Sequence, residues 1–313
     1  MGRSAGAADR IRGGMSAPTS EPVSSGRAIY TAVGSESRRA RINPWVVGGL
    51  TVYGVAGLVG IIVLTVPSLN HLLTDQDLLA TFKPPLSPGH PLGTDSLGRD
   101  LMWRILGGLG VSICVGVGVA IISVVLGLAL GVFGGFFGRA ASVGTALVVD
   151  VTWAFPAILL AIVFAGWLGP GLPAVILALA LTGWASFAVI VRGEILSLRE
   201  RDFISAARVL GVSRIRISLT HLLISLFPVT VVMSVFFVST SIVAESGLSF
   251  LGLGAQPPTP SLGVILADGR DYLSKSWWPV VLAGGALTVL VLLMNALADN
   301  LRDRFDPRNR SSR

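Results

Sequence analysis

The sequence predicts an all-α, polytopic membrane protein with six transmembrane helices and both termini in the cytoplasm. Three observations carry this. Only 13% of the 313 residues are charged and 52% are hydrophobic, against roughly a quarter charged in soluble domains; the mean hydropathy is +0.75. Six apolar stretches, at 45–66, 109–136, 144–168, 172–191, 222–249 and 277–298, reach the about 20 residues that a helix needs to cross the hydrocarbon core. The basic residues are shared unequally between the connecting segments. With the termini inside, the inner segments hold 19 of the 24 Lys and Arg, all but Lys83, Arg99, Arg104, Arg270 and Lys275, and such a bias sets orientation. No strand-like alternation of about ten residues recurs, which argues against a β-barrel.

Residues 1–44 are rich in Ser, Gly, Ala and Arg without apolar periodicity, the pattern of a disordered cytoplasmic tail. The first apolar run begins too late and runs too long for a secretory signal. The net charge of +7 would point to nucleic acid only if the basic residues clustered on a folded face. They sit instead at the ends of apolar runs, so lipid is the expected partner and nucleic acid is not. Cys114, the single cysteine, excludes an intramolecular disulfide and is expected as a small packed side chain.

Residues 45–108 hold the first span and an external segment, proline-rich in "KPPLSPGHP" and followed by "GTDSLGRDLMWRILGG". Asp95 or Ser96 is a candidate helix cap. Leu97, Leu101, Ile105 and Leu106 fall on one face, with Trp103 and Arg104 suited to the headgroups, so an elbow helix lying on the membrane is expected before span 2. Residues 109–313 supply five further spans, rich in glycines that favour close helix packing in lipid. Their second external segment, 250–276, ends at Trp277 and Trp278, an expected interfacial pair.

The longest internal loop, 192–221, contains "RERDFISAARVLGVSRIRISLT". Asp202 is suited to cap a short helix and Gly211 to end it. Between them Phe203, Ala206, Ala207 and Leu210 share one face, with Ser205 and Arg208 on the other side. At about 12 Å this helix cannot span a bilayer. Its alanine face suits either its own bundle or a groove on a cytoplasmic partner.

"SAARVLG", at Ser205 to Gly211, resembles the EAA loop of ABC importer permeases. "HPLGTDSLGRDLMWRILGG", "LSFLGLGAQPPTPSLGVILADG" and the C-terminal "SWWPVVLAGGALTVLVLLMNALADNLRDRFDPR" resemble the C-type permease subunit of dipeptide, oligopeptide and nickel importers, in the expected order over residues 90–308. The resemblance implies an ABC importer permease fold and a multi-pass place in the cell inner membrane. It implies a heterodimer with a second permease, one or two cytoplasmic ATPase subunits that use ATP and Mg, and an extracytoplasmic substrate-binding protein. Asp202, Phe203, Ser205, Ala206, Ala207, Arg208, Leu210 and Gly211 would form the coupling helix that docks on the ATPase. The chain has no G-x-x-x-x-G-K-[ST], so ATP is expected on other chains, and no cofactor and no catalytic role are expected here. Ser205 stands where the family often has Glu, Ile224 where a proline is usual, and Leu147 where Arg is frequent, while Asp150, Pro156 and Pro228 match.

Asp150, Glu194, Glu245 and Asp299 lie in or beside apolar runs, where an ionisable residue is a functional candidate. Headgroups, Arg192 or Arg302 can satisfy Asp150, Glu194 and Asp299. Glu245 and Asn295 are expected to face the pathway or gate, and Asn295 to bond across helices. His71 and His90 are isolated, so no metal site is expected. Di- or oligopeptides are the expected cargo, with nickel chelates, glutathione or haem as alternatives on the same architecture. An ATPase-independent secondary transporter is the competing class, but midplane carboxylate chains and inverted repeats are missing from the sequence.

Overall fold

A computed structural model describes residues 44–198 and 223–305. The segment expected to couple to the ATPase, from Asp202 to Gly211, and the N-terminal tail lie outside these residues. Among the described residues there is no β-strand, only two isolated bridges, Ser87 with His90 and Thr94 with Asp100. The helices run α1 (Pro44–Thr65), α2 (His71–Thr74), a 3₁₀ turn at Leu78–Ala80, α3 (Leu101–Phe136), α4 (Arg139–Trp153) and α5 (Ala157–Leu168). They continue with α6 (Leu172–Leu198), α7 (Leu223–Phe250), α8 (Leu262–Arg270) and α9 (Trp278–Phe305).

Five of them, α1, α3, α6, α7 and α9, are long and apolar enough to cross a membrane. The expected third span is not one rod. It is the pair α4 and α5, bent by 83° where Phe155 and Pro156 interrupt the helical ladder. A residue before proline is pushed out of the α region and proline itself donates no hydrogen bond, so the chain turns before α5 restarts from Pro156 O.

The central helix is α3. Its 36 residues rise about 54 Å at 1.5 Å each, well beyond an about 30 Å hydrocarbon core. The segment expected as a separate elbow helix is therefore the first turns of α3 itself. Asp100, not Asp95 or Ser96, caps it by accepting from Met102 N and Trp103 N. Asp95 instead closes the preceding turn, accepting from Leu97 N at 2.9 Å and Arg99 N at 3.0 Å.

Apolar burial forms around α3 on two sides. Val111, Val115 and Val119 pack with Ala161 and Ala165 of α5, Val175 and Ala178 of α6 and Leu248 of α7. Leu101, Ile105 and Leu109 pack with Ile242 of α7, Leu262 and Ile265 of α8, and Ala283 and Leu290 of α9. The α3–α6 seam is set by glycines four residues apart. A Cβ on Gly127 would meet Phe187, one on Gly131 would lie 2.8 Å from Val191 Cβ, and one on Gly135 2.8 Å from Ile195 Cγ2. Cys114 departs from expectation: it is exposed on the outside of the bundle.

Candidate functional site at one end of the bundle

The ends of α1, α5 and α7 and the starts of α3, α6 and α9 meet at one end of the bundle, together with α8 and the two long connecting segments. The polar side chains that the fold buries are concentrated there, in two clusters.

The first is built on Glu245, one turn and a half before the end of α7 and 0% exposed. Ser249 Oγ donates to Oε1 at 2.6 Å, Ser112 Oγ of α3 to Oε2 at 3.1 Å, and Ser246 Oγ to Oε2 at 3.4 Å. A carboxylate accepts several hydrogen bonds and donates none, so a ring of hydroxyl donors suits it. No ion pair joins it to a described cationic side chain. Ser249 Oγ also accepts from Ala255 N at 3.2 Å, which ties in the loop after α7, and Gly263 of α8 sits directly on the Ser246 backbone. Glu245 was expected to face the pathway or gate. Among the described residues its side chain turns inward toward Ser112 of α3, with Ser246 and Ser249 around it.

The second cluster joins α3 to α8. Arg104 is 2% exposed, buried within the protein where its position beside Trp103 predicts a side chain open to the headgroups. Its Nε lies 3.5 Å from Asp95 Oδ2 and its Nη2 3.4 Å from Asp268 Oδ2. Arg99 shares both acceptors, with Nε 2.7 Å from Asp95 Oδ2 and Nη2 3.2 Å from Asp268 Oδ2. Two positive and two negative charges thus balance in one cluster. Beside it, Trp278 is buried and donates Nε1–H to Thr94 O at 3.2 Å, whereas Trp277 stays exposed. The expected interfacial pair is therefore split, one indole serving the protein and one facing outward. Lys275 Nζ stands 4.4 Å over the Phe82 ring, a cation–π contact between the two connecting segments.

Asn295 Oδ1, in α9, is buried with no hydrogen-bond partner among the described residues. Arg192 donates to Ser142 Oγ at 3.1 Å and forms no ion pair with Asp150, Glu194 or Asp299. His71 Nδ1 lies 2.9 Å from Ser68 O, and His90 Nδ1 lies 2.9 Å from Asp100 Oδ2. Among the described residues no group of three or more His, Cys, Asp or Glu is placed to hold a metal. The residues that sequence reasoning missed are Ser112, Ser249, Asp95, Arg99 and Asp268. One signal was present, an arginine on the otherwise apolar face of Leu101, Ile105 and Gly108, which demands a buried counter-ion.

This arrangement, membrane-length helices around a central pillar with one broken pair and a polar layer at one end, defines a multi-pass helical membrane protein. Residues 123–311 match the family of binding-protein-dependent transport system inner membrane components, and the chain belongs to that family. It is a permease subunit. A Brucella suis biovar 1 protein, provisionally named a peptide transport system permease protein, is 42% identical over 227 residues, 72% of this chain and 76% of its own. The di/tripeptide transport system permease protein DppC of Pseudomonas aeruginosa is 34% identical over 69% of this chain and 72% of its own. The oligopeptide transport system permease protein OppC of Mycobacterium bovis is 37% identical over 83% of this chain and 91% of its own. In fold, 66% of the chain superposes on 98% of a chain of the inward-facing MetNI methionine ABC transporter, with a TM-score of 0.54 at 20% identity.

Proposed function

We propose that this chain is one of two permeases of an ATP-driven importer of di- or oligopeptides. The observation that carries the cargo is the agreement of relatives that match most of the chain, whose names specify peptides, di- and tripeptides and oligopeptides. The chain forms half of the translocation pathway, its partner permease the other half. A substrate-binding protein delivers peptide to the end of the bundle that carries α8, and ATPase subunits bind at the opposite end. The charge bias, with 19 of 24 basic residues in the segments on the termini side, supports an inner-membrane orientation with both termini cytoplasmic. The segment from Asp202 to Gly211, whose sequence pattern is that of a short capped helix, is the handle through which the ATPases act. Ala206, Ala207 and Gly211 permit close approach, and rigid-body movement of such a handle switches the pathway between its two faces.

Reconstitution tests this reading. The two permeases, the ATPases and the binding protein in proteoliposomes should accumulate labelled di- to hexapeptides only with hydrolysable ATP. Peptide uptake that persists without ATPase subunits would overturn the ATP-driven mechanism. ATP-driven uptake of other solutes but of no peptide would overturn the cargo.

A further inference from the structure

We propose that Arg99 and Arg104, sharing Asp95 and Asp268, form a latch that holds α8 across the outer end of the bundle and releases it when the importer opens outward. The inference rests on the importer reading, which supplies the outward-open state and makes this end the outer one.

The position is the first argument. Asp268 stands near the end of α8, a nine-residue helix whose Leu262 and Ile265 are buried against α3, α7 and α9. Arg104 projects from the central helix α3 and Asp95 from the turn before it. The cluster is thus the ionic link between α8 and the pillar around which the other helices pack. Opening this end requires α8 to part from α3, and these contacts lie across that line.

The second argument is the state of the cluster. The two Arg104 contacts, at 3.5 and 3.4 Å, are longer than the 2.7–2.9 Å or so of a strong charge-assisted hydrogen bond. Arg104 Nε and Ser276 Oγ are both buried without a hydrogen-bond partner among the described residues, and both residues line the same small cavity with Asp95 and Asp268. A cluster optimised for stability would pair these donors. Arg104 and Asp95 are buried while Asp268, the α8 member, is 41% exposed at the edge; a partly buried ion pair is a weak stabiliser, and the best-attested use of such groups is to specify one state over another. A balanced, under-bonded cluster does this: it holds α8 closed while leaving little to be lost on opening.

The test uses the reconstituted complex with Cys114→Ser and a reporter Ser276→Cys, at a buried position beside the cluster. A membrane-impermeant maleimide is applied from the outer side. In the otherwise wild-type complex, labelling should be slow without nucleotide and faster by about tenfold when the ATPases are trapped with ATP and vanadate, within the ordinary span of allosteric coupling. Asp268→Asn should bring the nucleotide-free rate up to the trapped rate and raise ATP hydrolysis in the absence of binding protein. Asp268→Glu should restore slow labelling. If Asp268→Asn does not assemble, Arg99→Gln, which removes a donor to the same Asp268 oxygen, carries the same expectation.

Unchanged labelling and hydrolysis in the neutralised variant would overturn the latch. So would a lowered thermal midpoint with labelling raised equally in all states and hydrolysis unmoved, the behaviour of a static staple. A wild-type complex that imports peptide with ATP yet labels at one rate in every state would also overturn it, leaving the importer reading intact. A complex that imports nothing with ATP counts against the importer reading itself, and the latch falls with it.

Discussion

Ser112 Oγ of α3 donates to Glu245 Oε2 of α7 at 3.1 Å, joining residues 133 positions apart inside a pocket sealed from solvent. Ser249 completes the contact on the other carboxylate oxygen at 2.6 Å. Two spans are therefore pinned at a defined height, and the loop after α7 is anchored through Ala255. Glu245→Ala leaves three buried hydroxyls without their acceptor, at a cost of about 1–3 kcal/mol each where no new partner is found. Thermal unfolding in detergent should show a clearly lower midpoint for Glu245→Ala. Glu245→Gln, which keeps a carbonyl oxygen and the side-chain shape, should retain most of it. Equal midpoints for both variants would remove Glu245 from this role.

The α3–α6 seam makes a second expectation. Gly131→Leu drives a side chain into Val191 and the Ala188 carbonyl, and overpacking of this kind costs about 1–3 kcal/mol or more. Gly144→Leu on α4, where nothing lies within 4 Å of the added Cβ, is the matched control. Membrane yield of folded protein should fall for Gly131→Leu alone.

Trp278→Phe tests the indole bond to Thr94 O. Losing one buried hydrogen bond costs about 0.5–1.5 kcal/mol, so the thermal midpoint should drop. Trp277→Phe, at an exposed ring, should leave it unchanged.

The proposed coupling handle lies outside the described residues and is tested by substitution. Gly211→Val or Ala207→Trp should leave the protein inserted and paired with its partner permease while abolishing stimulation of ATP hydrolysis by loaded binding protein. Normal transport in both variants would reassign the segment to a passive loop. Arg208→Ala should change transport little, because the sequence pattern sets Arg208 opposite the alanine face and a surface charge contact of that kind contributes little.

Orientation has its own measurement. In a Cys114→Ser background, Gln256→Cys should react with an impermeant maleimide in intact cells, and Asp303→Cys only after permeabilisation. The reverse pattern would invert the topology.

The sequence by itself determined the class. Hydrophobic runs of bilayer length and the low charge content are properties of the chain alone, because each span must satisfy its own backbone hydrogen bonds in lipid. The glycines of α3 announced close packing, and the motif blocks over 90–308 announced the family to which the match at 123–311 assigns the chain. Boundaries between collinear elements were less legible. The elbow and span 2 merged because the apolar face of Leu101 and Ile105 continues without a break into Leu109, and span 3 broke because Pro156 outweighed uninterrupted hydropathy. What only the tertiary structure decided is which polar side chains meet. Arg104 and Asp268 stand 164 residues apart; the apolar face around Arg104 calls for a counter-ion, but nothing local in the sequence points to Asp268. Glu245 reads as a lone carboxylate in an apolar run until α3 brings Ser112 against it. Hydropathy depends on composition over a window and survives without coordinates, but pairing depends on helix rotation and depth, which only packing fixes.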